Sequence, residues 1–261
     1  MISICTCTGD RPVCLSLLIK WMEAQTVKPD QWLIVEDGKT PISKELLNAM
    51  PDYADIIRRE PSEKDPKHTL CLNMKTALPF IEGDKIIFCE DDEYYAPRYI
   101  ETMSRYLEQY EVVGIGKSRY YHLPSFKYFV HGNIDHASLA QTGISKSFLP
   151  ELENLLDGDS FIDVRIWNSI GGKLIKQKRI GIDGQRVGDK GFLFDDAISN
   201  EFIYVGVKGM PGRFGIGCGH QAIGTYDIDQ KILKKWIPLN AHLQEYLELK
   251  LTTNQRRGNT K

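Results

Sequence analysis

Through its first 110 residues the chain alternates short β-rich apolar runs with stretches of helical periodicity, a rhythm few architectures accommodate. Residues 2–8 read as a strand, and Pro12 opens a helix that carries Leu15, Leu18, Ile19 and Met22 on one face. A second strand is expected over 31–35, a short helix over 42–50 and a third strand from Ile56-Ile57. A helix over 70–80, closed by Gly83-Asp84, leads to a fourth strand at 85–89 and a helix over 97–109. Such alternation implies a mainly parallel sheet with helices on both faces, whose ligands bind outside the carboxyl ends of the strands.

The second half is less regular. Residues 112–116 and 140–145 read as strands, 150–156 and 161–170 as helices, and Tyr120-Tyr121 with 126–130 as an aromatic-rich hairpin. Glycine-rich residues 180–219 read as a loop or hairpin region beside a ligand. One or two helices are expected over 233–251, followed by a polar, frayed tail at 252–261. With 261 residues, this describes one domain of about 1–251, in which 1–110 and 111–251 are two halves.

Three polar clusters fall where strands end: Gly9-Asp10-Arg11, Glu36-Asp37-Gly38 and Glu90-Asp91-Asp92-Glu93. Four consecutive acids behind the apolar run Ile86-Ile87-Phe88 cannot all stay ionised at close range in a low dielectric without a cation. Oxygen-only ligands on a strand end suit Mg²⁺ or Mn²⁺, which take one or two carboxylates together with substrate phosphates. An isolated acidic run is more often a solvated turn; here two further polar clusters at the same sheet edge favour a metal–diphosphate site.

Composition excludes some classes. A net charge of −2 gives no bulk attraction to nucleic acid or anionic lipid, and no run approaches the ~18 apolar residues of a membrane span. Met1-Ile2-Ser3-Ile4-Cys5 lacks the basic start of a signal peptide. Cys5, Cys7, Cys14, Cys71, Cys89 and Cys218 include no Cys-x-x-Cys pair, so small core residues in a reducing, cytoplasmic setting are expected.

In order and spacing, these clusters resemble the family-2-type glycosyltransferases of the GT-A fold. Cys7-Thr8-Gly9-Asp10-Arg11-Pro12 is similar to that family's first loop, although it lacks one proline. Gln25-Thr26, Val35-Glu36-Asp37-Gly38-Lys39, and Gly83-Asp84 followed by Glu90-Asp91-Asp92 and Pro97 match further motifs. The likeness is firmest over about residues 1–105 and extends to about 220. It implies a Rossmann-like nucleotide-binding α/β fold, with a mixed, mainly parallel sheet flanked by helices. By the same resemblance Asp92 is the leading metal ligand. Glu90 stands where the family has aspartate, and its extra methylene would let it reach the ribose or a metal-bound water; Asp91 supports the donor site. Thr8, Asp10 and Asp37 are implied at the nucleoside, and Arg11 and Lys75 at the diphosphate. Arg11 could equally pair with a nearby acid, and Lys75 could be a solvated helix lysine.

Residues 156–165 resemble the family's Glu-Asp-x-x-Leu-x-x-Arg element, which places Asp159 at the general base of inverting members, with Asp157 and Asp163 as alternates. A carboxylate there also fits a plain helix N-cap. The glycine frame 209–220 would let Arg213 clamp the diphosphate and His220 complete the metal shell; a surface loop is the plainer alternative. His131, His136 and His242 are weaker candidates. Trp167, Trp236, Tyr120, Tyr121, Phe126 and Tyr128 offer rings that could stack on a sugar, though such rings are mostly core. The resemblance implies a Mn²⁺- or Mg²⁺-dependent transfer of a hexose from a UDP-sugar to a saccharide or glycan hydroxyl. A modified DNA base is an alternative acceptor. Nucleotidyl transfer and a non-catalytic nucleotide-sugar-binding module are alternatives of other classes.

Overall fold

A computed structural model describes residues 1–157, 161–174, 184–195, 202–212 and 222–258. The first half follows the expected rhythm: β1 (Ile2–Thr8), α1 (Pro12–Glu23), β2 (Gln31–Glu36), α2 (Lys44–Asn48), β3 (Ala54–Arg58), α3 (Leu70–Ala77), β4 (Lys85–Phe88), β5 (Tyr94–Tyr95) and α4 (Tyr99–Tyr106). Next come β6 (Val112–Ile115), β7 (Lys117–His122), β8 (Lys127–Gly132), β9 (Thr142–Ser145), α5 (Leu149–Leu155) and α6 (Ile162–Ser169). The chain closes with β10 (Gln185–Val187), β11 (Gly191–Phe194), β12 (Tyr204–Lys208), β13 (Thr225–Tyr226), α7 (Lys231–Trp236) and α8 (Asn240–Gly258).

Eight strands form the main sheet in the order β10-β11-β6-β9-β4-β1-β2-β3. The run from β4 through β1 and β2 to β3 is parallel, and β9 enters antiparallel between β4 and β6. Period-two alternation splits the strands between two cores. Ile4, Trp32, Ile34 and Ile87 face one core with α1, α4, α7 and α8, while Cys5, Leu33, Val35, Ile86 and Phe88 face the other with α3, α5 and α6. With both faces covered, these strands are continuous apolar runs, as buried parallel strands must be. Gln25 fixes the end of α1: its amide donates to the carbonyls of Trp21 and Ala96, both at 3.0 Å, and its oxygen accepts from the Ile100 amide at 3.1 Å.

A second sheet runs β13-β8-β7-β12-β5. Its β7–β8 hairpin is the expected aromatic one, but Tyr121, Trp167 and Trp236 are buried core residues rather than rings open to a sugar. Tyr128 meets Trp236 edge-on at 5.6 Å, and Tyr120 stacks on Phe129 at 5.0 Å. The described residues of 180–219, a range read as loop or hairpin, include the strands β10, β11 and β12. Gly191 and Gly206 obscured β11 and β12, which exist because β6 and β7 supply parallel hydrogen-bonding edges. Helix α8 continues to Gly258 through sequence read as a frayed tail, since glutamine and arginine are good helix formers and no breaker precedes that glycine.

Close backbone approach is clearest at Gly114 on β6, where a Cβ would lie 2.6 Å from both the Ala137 Cβ and the Trp167 ring. Overpacking of this kind costs about 1–3 kcal/mol. Gly114→Ala should therefore lower Tm by roughly 3–10 °C in a thermal melt, and an unchanged Tm would contradict the packing described.

Candidate functional site

The acidic turn Glu90–Glu93 joins the two sheets, since β4 ends before it in one and β5 begins after it in the other. The carboxyl ends of β1, β2 and β3 lie along the same edge of the main sheet, and the end of β12 meets Glu93. At the end of β1 the Thr8 hydroxyl donates to Asp91 at 2.6 Å. The chain then turns through Asp10, whose φ of 56° lies in the left-handed region that aspartate tolerates better than most residues. The Asp10 carboxylate accepts from the amides of Lys39 at 3.0 Å and Thr40 at 3.2 Å, tying the loop after β2 to the loop after β1.

Arg11 extends from this loop onto the acids. Its guanidinium lies 2.9 Å from Asp91 and 2.8 Å from Asp92, with side-chain exposures of only 12%, 2% and 4% for the three residues. Burial opposes the guanidinium's charge, but Asp92 and Asp91 outweigh it and hold its pKa above the ordinary value. Arg11 thus meets two of the three buried acids of the turn, and its Nε–H is buried without a hydrogen-bond partner among the described residues.

Glu93 is held from the other side. The Val207 amide donates to it at 2.8 Å, and Lys208, at the end of β12, forms a buried ion pair with it. Lys208 also lies 5.6 Å from the centre of the Tyr120 ring. Burial would strip its proton, yet Glu93, Asp92 and Glu90 together raise its pKa above the usual lysine range. Burial pushes the carboxyl of Glu90 up to about 8, against the pull of Lys208 and with the help of Asp92, Glu93 and Asp163. Glu93 is pushed up to about 7, again first by burial.

Oxygens of Glu90, Asp92 and Glu93 lie within 4.8 Å of one another, an all-carboxylate donor set suited to a hard divalent cation. Among the described residues, the four carboxylates of the turn meet two cations, Arg11 and Lys208, when all the acids are ionised. The Tyr204 hydroxyl, buried without a partner among the described residues, sits in the field of Glu93 and Glu90. The residues present therefore fit a divalent cation.

Thr8, Asp10, Arg11 and Glu36 line a cavity of about 330 Å³, closed by the apolar wall of Leu15, Pro41, Ile42 and Leu46. Glu36 pairs with Arg58, and its other oxygen accepts from the Gly38 amide at 2.9 Å. Asp37 is buried outside that lining, 2.9 Å from Arg59 and bonded by the Thr69 hydroxyl. Lys75 forms its ion pair with Asp157, and both are exposed on the surface. Asp163 sits in the first turn of α6, where burial raises its pKa. Among the weaker candidates, His136 bonds to Asp135 at 2.6 Å and His242 lies 3.2 Å from the Tyr94 hydroxyl. Asp159, Arg213 and His220 lie outside the described residues.

Sequence reasoning missed Arg58, Arg59, Tyr204 and Lys208. Arg58-Arg59 closes β3 and Lys208 closes the apolar run of β12, so the strand-end rule that singled out the acids could have found them.

The profile of glycosyl transferase family 2 matches residues 3–171. Among solved structures, S. aureus TarS 1–349 in complex with UDP superposes with a TM-score of 0.53 at 13% identity, covering 79% of this chain and 60% of that one. Its complex with UDP-GlcNAc gives 0.53 at 13%, covering 82% and 59%. A further TarS structure gives 0.52 at 13%, covering 79% and 36%, so the chain spans well under two thirds of each of these. At such identity the likeness is one of fold, and the fold is GT-A. No curated protein matches the chain.

Proposed function

Because the chain belongs to glycosyl transferase family 2, we propose that it transfers a hexose from a UDP-sugar to the hydroxyl of a saccharide or glycan, with Mn²⁺ or Mg²⁺ at the acidic turn. The observation that carries this reading is the cluster of Glu90, Asp92 and Glu93 together with Arg11, which meets Asp92 and also lines a cavity at the ends of β1 and β2. The UDP and UDP-GlcNAc complexes of TarS support the donor class.

In this reading Thr8, Asp10 and Asp37 serve the nucleoside side. Asp92 leads the cation ligands, with Glu90 beside it and His220 completing the shell. When bound, the cation would neutralise the diphosphate leaving group. Arg11 and Arg213 hold the diphosphate by charge-assisted hydrogen bonds, and Asp91 holds Thr8 and Arg11 in place. Lys75, committed to Asp157, contributes at most at the rim. Asp159 takes the proton of the acceptor hydroxyl if configuration is inverted. Residues 1–251 form the catalytic unit, with the donor on the 1–110 side and the acceptor on the 111–251 side. The described residues contain no helix long and apolar enough to cross a membrane. Cys5, Cys7, Cys14, Cys71 and Cys89 are free, which agrees with the reducing cytoplasm we assign to it.

The test is a mass-spectrometric screen of UDP-sugars with Mn²⁺ against saccharides and hydroxymethylated DNA. The expected result is UDP release with a hexose added to a saccharide. Transfer to the DNA alone would replace the acceptor assignment, and release of UDP from no donor would refute the reading.

A further inference from the structure

Arg11 stands where two demands conflict. Its guanidinium lies 2.8 Å from Asp92, the carboxylate that also belongs to the cluster able to hold a dication. A guanidinium and a dication beside one carboxylate repel each other, so each weakens the other's hold. Arg11 is also incompletely satisfied there, because its buried Nε–H has no partner among the described residues. An unmet buried donor is costly, and an oxyanion in the adjoining cavity, which Arg11 lines, would meet it. Lys208 differs: it sits in a strand paired with β7, and its ion pair with Glu93 is reinforced through the Val207 amide. One cation is built into the sheet; the other is carried by a loop.

The loop position is itself bounded. Gly212, at a φ of +106°, lies against Arg11, and a Cβ there would come within 2.8 Å of both the Arg11 Cγ and the Asp10 carbonyl. The arginine stem therefore lies between the start of α1 and the segment that follows β12, with its forked end toward the acids and one edge toward the cavity.

We propose that Arg11 couples the binding of a nucleoside diphosphate to that of the cation. In the free protein it competes for Asp92 and keeps the cation site weak. An entering diphosphate draws the guanidinium to itself and releases the carboxylate, so the cation site becomes strong only when the nucleotide is present. This rests on the reading of the chain as a transferase using a nucleoside-diphosphate donor, and it makes Arg11 a positioning residue for both ligands.

Calorimetric titration with Mn²⁺, with and without saturating UDP, tests the coupling in the wild-type chain, Arg11→Gln and Arg11→Lys. Removing the competitor should tighten binding of Mn²⁺ alone at least about fivefold in Arg11→Gln, the low end of ordinary coupling between sites. Linkage is reciprocal, so the enhancement of Mn²⁺ binding by UDP should shrink correspondingly. Arg11→Lys keeps the charge but loses the fork that spans Asp91 and Asp92, so it should shift in the same sense by less; it decides the matter if circular dichroism shows the glutamine variant unfolded. A purely structural Arg11 would weaken both ligands together. If the wild-type chain shows UDP-enhanced Mn²⁺ binding and neither variant binds Mn²⁺ alone more tightly, the coupling is refuted while the donor assignment stands. If the wild-type chain binds neither ligand, the donor assignment falls and the coupling with it.

Discussion

Asp92→Asn should lower kcat/KM for Mn²⁺-dependent hydrolysis or transfer of the donor sugar by about three orders of magnitude, equivalent to about 4 kcal/mol of transition-state stabilisation. The expectation follows from position. Asp92 is buried, sits among the carboxylate oxygens within 4.8 Å of one another, and is the member of that set that Arg11 also meets. Asparagine keeps the shape and one acceptor oxygen but removes the charge a dication requires. Asp91→Asn is the internal control. Asp91 receives the Thr8 hydroxyl and one arm of Arg11 and lies outside the three-carboxylate set, so its loss should loosen the loop after β1 and cost only about tenfold, or about 1.4 kcal/mol. UDP release measured on variants with wild-type circular dichroism separates the two, and equal losses, or the larger loss at Asp91, would refute the ligand ranking.

The second large effect concerns stability. Lys208→Met should destabilise the fold by about 3–5 kcal/mol, because the buried Glu93 carboxyl loses its cation and must either stay charged in the interior or take up a proton, with the Val207 amide as its remaining hydrogen-bond partner among the described residues. For a chain of this size that is a fall in Tm of roughly 10 °C or more. The cost is that of an orphaned buried carboxyl rather than the net worth of the pair. Replacing both partners in Glu93→Gln/Lys208→Met should therefore recover at least half of the loss. Thermal melts of the two single variants and the double variant check this. A Lys208→Met protein within about 1 kcal/mol of wild type would show that water reaches Glu93 and that the ion pair does not hold β12 to the acidic turn.

Strands β1, β2 and β4 were legible because both faces are covered, which leaves apolar runs interrupted only where polar side chains gather at the strand ends. The second sheet was not legible. Strand β5 has two residues, and β12 carries Gly206 in its middle, so neither reaches the length or propensity that a local pattern reveals. Both exist because they pair with each other and because β12 also pairs with β7.

The site divides in the same way. Acids at strand ends announce themselves, and the resemblance ranked them. Their partners do not, since Thr8 and Asp91 are 83 positions apart and Lys208 and Glu93 are 115 apart. Local spacing does not encode such pairings; only the topology brings them together. Arg11 shows the consequence. From sequence it could serve the diphosphate or pair with an acid, and the structure pairs it with two buried acids of the turn after β4. Lys75 shows the converse, a basic residue of α3 that meets Asp157 at the surface.

Whether the acidic turn and the cavity beside it form one metal-dependent site for a nucleotide-sugar donor is decided by titrating UDP into the wild-type chain with Mn²⁺ and again with the cation removed by chelation. Saturable 1:1 UDP binding that weakens at least about tenfold without the cation, a difference of about 1.4 kcal/mol, is expected. UDP binding of equal strength in both conditions, or none in either, would contradict it.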